Sequence, residues 1–118
     1  MLNDSIVGRG HNQRVQKQSA ILHGEMDALE NAGRLTASQY TASTIYTTLS
    51  PCDMCTGAIL LYGIPKVVVA ENTTYMGAED LLRSRGVEVV VTHDQRCIDL
   101  MTEFISARPE LWNEDIGT

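Results

Sequence analysis

Short β-branched runs alternate along this chain with stretches of helical period. Thr44-Ile45-Tyr46-Thr47-Thr48-Leu49, Lys66 to Ala70 and Val87 to Val91 read as strands. The last two are so continuously apolar that both of their faces are expected to be covered. A shorter candidate, Ser5-Ile6-Val7, ends at the turn signal Gly8-Arg9-Gly10. Between and after these runs the period changes. Ile21 to Ala32 reads as a helix stopped by Gly33. Ser50 offers an N-cap oxygen and Pro51 suits the first position of a helix running to Tyr62, with Gly63 at its end. Ala78 to Arg85 reads as a short crossover helix, the kind of connection that joins parallel strands. Asp94 to Ala107 carries Cys97, Leu100, Met101, Phe104 and Ile105 on one face. After Pro109 the tail is acidic and reads as irregular. The alternation predicts an α/β fold, a three-layer α/β/α sandwich on a mostly parallel central sheet, with residues 1–118 as a single domain.

Composition narrows the partners. The formal charge is −6 and the nine Lys and Arg are scattered among 118 residues, so a phosphate backbone finds no basic track and no nucleic-acid partner is expected. No apolar run approaches the roughly 20 residues of a membrane span, and the first residues lack the basic-then-apolar pattern of a secretory signal. Three cysteines, two of them close together, suit metal or redox chemistry better than a disulfide framework. A cytoplasmic location, with passive entry to the nucleus, is the simplest expectation.

Four residues carry the chemistry. His23 and Glu25 form His-Gly-Glu at one expected helix start, and Cys52 and Cys55 form Pro-Cys-Asp-Met-Cys at another. Two thiolates and one imidazole leave a zinc ion with an open fourth position, which is the catalytic arrangement; a structural site closes with a fourth protein ligand. Each cysteine is expected in a first helical turn, where the dipole favours thiolate, and His23 in the first turn of its own helix. Zinc makes a water in the open position acidic, and a carboxylate that is not a ligand can move its protons. His-x-Glu followed by Pro-Cys-x-x-Cys is the pattern of zinc nucleobase deaminases. Cys-x-x-Cys also occurs as a redox pair, but that reading leaves His23 and Glu25 without a role. Cys97 is the one spare thiol for a closed zinc site, and it falls on an apolar helix face.

Three stretches widen the match: Gly8-Arg9-Gly10-His11-Asn12, Thr47 through Ala58, and the ending Arg108-Pro109-Glu110-Leu111-Trp112-Asn113-Glu114-Asp115-Ile116-Gly117. From Leu2 to the C-terminus the chain resembles the fungal cytosine deaminases of the cytidine/deoxycytidylate deaminase superfamily. The resemblance implies hydrolysis of free cytosine to uracil and ammonia in pyrimidine salvage, by a homodimer with one Zn²⁺ per subunit. It implies His23, Cys52 and Cys55 as ligands and Glu25 as proton shuttle. Asn12 would hydrogen-bond the pyrimidine, Leu49 and Ser50 would line the pocket beside the metal, and Asp115 would accept from the exocyclic amine. Trp112 would close over the base, and Tyr75 stands where the family commonly has Phe. Members of the family begin with a helix and a strand that this chain lacks, so Ser5–Val7 is expected to be detached from its neighbour, with apolar surface uncovered. Two other readings share parts of the pattern: deamination of a nucleotide, another base or a tRNA adenosine, and an inactive zinc-containing interaction module.

Overall fold

The computed structural model describes all of residues 1–118. Three parallel strands, β1 (Thr44–Leu49), β2 (Lys66–Glu71) and β3 (Glu88–Val91), lie in that order, with Ile45 opposite Val67 and Val67 opposite Val89. The helices are α1 (Gly24–Ala32), α2 (Ala37–Thr41), α3 (Asp53–Tyr62), α4 (Glu79–Ser84), α5 (Gln95–Ala107) and α6 (Pro109–Asp115). Each parallel pair is joined through a helix, as the alternation requires. Val67, Val69 and Glu71 point to one face of β2 and are fully buried there. Ile45, Ile59, Ile64, Leu82 and Val87 complete the core on that side. α5 packs along β2 as well, giving the three-layer α/β/α architecture.

Ser5–Val7 is not a strand. Leu2 and Ser5 form isolated bridges, and residues 6–10 run on without a sheet partner. Met1 exchanges hydrogen bonds with Thr44, one of them 2.9 Å long. Beyond that pair the outer edge of β1 is unpaired. Gly8-Arg9-Gly10 is not a free turn either: a Cβ on Gly10 would lie 2.4 Å from the Ala28 nitrogen, so the segment is pressed onto α1. Apolar surface is correspondingly uncovered, with Tyr46 59% and Leu100 68% exposed. The helical face expected on α5 exists, yet none of its residues is buried. The accessible area of 7158 Å² exceeds the about 6,300 Å² expected of a folded chain of this mass.

Other boundaries moved for local reasons. α1 begins at Gly24, so His23 is its N-cap and not part of its first turn. The N-cap of α3 is Cys52, not Ser50, and Pro51 lies outside the helix. Ser50 is committed elsewhere, donating its hydroxyl to Glu79 at 2.6 Å and accepting the Gly77 N–H at 2.9 Å. α2 was not expected from hydrophobic period. It starts in a capping box in which the Thr36 oxygen takes the Gln39 N–H and the Gln39 side chain takes the Thr36 N–H. The tail is helical where an irregular segment was expected. Pro109 stops α5 and opens α6, because its fixed φ suits a first helical position.

Candidate zinc-dependent active site

Two helix entrances face each other. The loop after β1 delivers Cys52 and the first turn of α3 delivers Cys55, while the N-cap of α1 delivers His23. The His23 Nδ1 lies 3.4 Å from the Cys52 sulfur and 3.7 Å from the Cys55 sulfur, and all three donor atoms lie within 4.8 Å of one another. Zinc bonds of about 2.3 Å to sulfur and about 2.0 Å to nitrogen, at tetrahedral angles, separate such atoms by about 3.6 Å. Both nitrogen–sulfur distances therefore suit a single zinc ion. No helix is long and apolar enough to cross a membrane.

The protons on these ligands are already partly sorted. A hydrogen bond from the Cys55 thiol, reinforced by His23, draws the Cys52 thiol down to about 4. Cys55 is pushed up, by that same hydrogen bond to Cys52 and by burial. His23 is raised to about 9, chiefly by its hydrogen bond to Cys52 and with a contribution from Asp115, against the lowering effect of burial. At neutral pH the metal-free set is thus a thiolate, a thiol and an imidazolium. Metal ligands must be deprotonated. Zinc loading at pH 7 is expected to release about two protons, one from Cys55 and one from His23, so that affinity falls about 100-fold per unit of pH lowered. Zinc titration calorimetry in buffers of different ionisation enthalpy measures the number directly.

Glu25 lies one position inside α1, beside the sulfurs but outside the three-donor cluster. Burial is the main cause that raises it above the ordinary carboxylate range. A cavity of about 760 Å³ opens over the cluster and continues along the free edge of β1. Every expected site residue except Cys55 lines it: His23, Glu25 and Cys52 at the base, and Asn12, Leu49, Ser50, Tyr75, Trp112 and Asp115 around them. Tyr75 and Trp112 meet edge to face at 5.7 Å. Cys55 is buried behind Cys52.

Two contacts are not foreshadowed by any pattern in the sequence. Asp115 takes the His23 Nε2 in a short hydrogen bond, which fixes the imidazole with Nδ1 toward the sulfurs. Its second oxygen lies 3.4 Å from the Asn12 amide nitrogen. Arg14 forks onto Glu114 at 2.7 and 2.6 Å and reaches Asp115 at 3.3 Å, tying α6 to the segment before α1. About a hundred residues of sequence separate these partners, and no local pattern joins them. Cys97 is remote from the cluster, as expected of a small residue on the α5 face.

Residues 1–71 match the family model described as the cytidine and deoxycytidylate deaminase zinc-binding region. The chain is 64% identical over 115 residues to the cytosine deaminase of Candida albicans, covering 98% of this chain and 77% of that one. It is 41% identical over 78 residues to a tRNA-specific adenosine deaminase of Streptococcus pyogenes serotype M18, covering 64% of this chain and 49% of that protein. Among solved structures, a mutant of NE0047 bound to 8-azaguanine superposes with a TM-score of 0.63 at 21% identity, over 80% of this chain and 63% of that one, a likeness of fold. The match over residues 1–71 and the 64% identity over nearly the whole chain agree with the fold and the His-Cys-Cys cluster, and this chain belongs to the cytidine and deoxycytidylate deaminase family.

Proposed function

We propose that this chain hydrolyses free cytosine to uracil and ammonia with one zinc ion per subunit. The observation that carries the reading is the clustering of the His23 nitrogen and two cysteine sulfurs, with Glu25 beside them at the base of a cavity also lined by Asn12, Tyr75 and Trp112. The identity with the Candida albicans cytosine deaminase supports free cytosine over larger substrates. The acidic balance of the chain supports it too.

When bound, zinc supplies Lewis acidity that makes water a nucleophile near neutral pH and stabilises charge on the adding oxygen. Glu25 takes the proton from the attacking water, gives it to ring N3, and passes the second proton to the amine leaving C4. One carboxylate thus acts as base and then as acid. Asn12 supplies both a donor and an acceptor to the ring. Asp115 holds His23 with one oxygen and offers the other to the exocyclic amine. Leu49 and Ser50 form the wall beside the metal, and Tyr75 and Trp112 enclose the ring. Since the Ser50 hydroxyl is turned toward Glu79, Ser50 contributes its backbone to that wall. Residues 1–118 act as one catalytic domain, paired in a homodimer through apolar surface such as Leu61 and Tyr62, which are exposed at the end of α3. The expected setting is cytoplasmic.

The deciding experiment loads the purified chain with one equivalent of zinc and follows loss of cytosine, cytidine, guanine and tRNA adenosine, with sedimentation reporting whether it pairs. Turnover of cytosine alone is the expected result. Preference for a nucleoside or tRNA replaces this reading with the wider-substrate one, and bound zinc without turnover of any substrate leaves the interaction module.

A further inference from the structure

Two carboxylates that the proposed chemistry does not use are among the most buried side chains in the molecule. Glu71 at the end of β2 is 0% exposed and Glu79 at the start of α4 is 2% exposed. Neither is idle. Glu71 accepts the backbone N–H groups of Thr73 and Thr74 at 2.8 and 3.0 Å, and the Thr74 hydroxyl besides. Glu79 accepts the Ser50 hydroxyl at 2.6 Å and the Asn72 amide at 3.3 Å, with the Arg83 guanidinium 3.6 Å away. With its proton given to Glu79, the Ser50 oxygen is turned to accept the Gly77 N–H at 2.9 Å. One residue on, the Ala78 N–H reaches the Pro51 carbonyl at 3.1 Å. The approach is so close that a Cβ on Gly77 would stand 1.9 Å from that carbonyl oxygen. Residues 72–78 are therefore held at one end by Glu71 and Glu79 and at the other against the Ser50-Pro51 turn that leads into Cys52.

Tyr75 sits in the middle of this pinned loop. It meets Trp112 edge-on, and no hydrogen bond within the chain is made by its hydroxyl. The loop must fix its place. We propose that Glu79 is a positioning residue which, through Ser50 and Gly77, sets Tyr75 against Trp112 and so fixes the width of the ring-binding cavity. The inference rests on the cytosine reading for its kinetic consequence, but its geometric consequence stands apart from it. A buried carboxylate that accepts hydroxyl and amide donors contributes most when its partners have no water to turn to.

The test compares Glu79→Gln, Ser50→Ala and the double variant with the zinc-loaded wild-type chain. Gln keeps the shape of the side chain but loses the charge that organises the donors. Ser50→Ala removes one hydroxyl without a large cavity, and remains informative if Glu79→Gln fails to fold. Val69→Ala, a core change at a residue that does not line the cavity, serves as a control for lost stability alone. In Glu79→Gln the KM for cytosine is expected to rise about tenfold with kcat within about threefold, and the double variant to be no worse than the more affected single one. Emission of Trp112, the one tryptophan of the chain, is expected to shift in both single variants and not in Val69→Ala. Unchanged KM and emission in the folded variants, or changes no larger than the control's, overturn the assignment while leaving the deaminase reading intact. If the wild-type chain turns over no cytosine, the deaminase reading falls, and the Trp112 emission of the same variants then decides the positioning role by itself.

Discussion

Glu25→Gln is expected to lower kcat on cytosine by about 10⁴-fold while zinc stays bound at one equivalent. The substitution keeps the length and planarity of the side chain and removes its capacity to accept a proton. Because Glu25 stands beside the three-donor cluster and not in it, metal content should not follow activity. In the proposed mechanism one carboxylate serves two proton transfers, to N3 and to the leaving amine, so its loss cannot be compensated at the second step by a partner that handled the first. The surroundings of Glu25 suit this double role, since burial raises it above the usual carboxylate range and favours its protonated form midway through the reaction. Quantifying zinc by mass spectrometry under non-denaturing conditions, alongside cytosine loss by absorbance, reads both quantities on one preparation. Turnover within about tenfold of wild type would remove Glu25 from its assigned role.

The second large effect concerns Cys55→Ser. Serine is close to cysteine in size, but at this buried position it replaces the proposed thiolate ligand with a hydroxyl that zinc binds poorly. Loss of a partner that merely orients a ligand costs about 10–100-fold in affinity, so loss of a ligand itself is expected to cost more than about 100-fold. The effect should appear in stability as well. Zinc at about a thousand times its dissociation constant stabilises a folded chain by about 4 kcal/mol, on the order of 15 °C in melting temperature at this size. For the wild-type chain that upward shift is expected on adding zinc; in Cys55→Ser it should vanish at the same concentration, with the metal-free melting temperature little changed. Differential scanning calorimetry with and without zinc measures both. A variant that still melts higher with zinc, by the wild-type increment, would mean that Cys55 does not hold the metal. Asp115, by contrast, holds His23 and would act on a bound metal only through it, so its replacement is expected to have the smaller effect of an orienting partner.

The local alternation of β-branched runs and helical stretches carries the parallel sheet and its helices, since each strand and crossover is encoded within its own few residues. Thr44–Leu49 is a strand for the reason its side chains suggest, and α5 covers the periodic stretch to Ala107, with Asp94 as its cap and not its first residue. The cluster of three donor side chains was equally legible, because two cysteines three residues apart lie near one helix start and the His-x-Glu pair needs no long-range information to be recognised. What local pattern misjudged were residues whose hydrogen bonds are made at a distance. Ser50 has the chemistry of an N-cap, but a carboxylate at Glu79 outcompetes the helix for its hydroxyl. Ser5–Val7 has the composition of a strand, but a strand needs a neighbour, and no chain lies along that edge.

By itself, then, the order of residues marked the three parallel strands and the helices that connect them, the three side chains that could hold a metal ion, and the carboxylate proposed to move protons. The tertiary structure alone decided that the two helix entrances meet with nitrogen and sulfur 3.4 to 3.7 Å apart, that Asp115 orients His23, that Arg14 anchors α6, and that Glu79 pins the loop of Tyr75. The physical reason is one of range. Backbone preference and hydrophobic period act over a few residues, whereas a hydrogen bond between groups 29 or 92 residues apart is fixed only when packing brings donor and acceptor together.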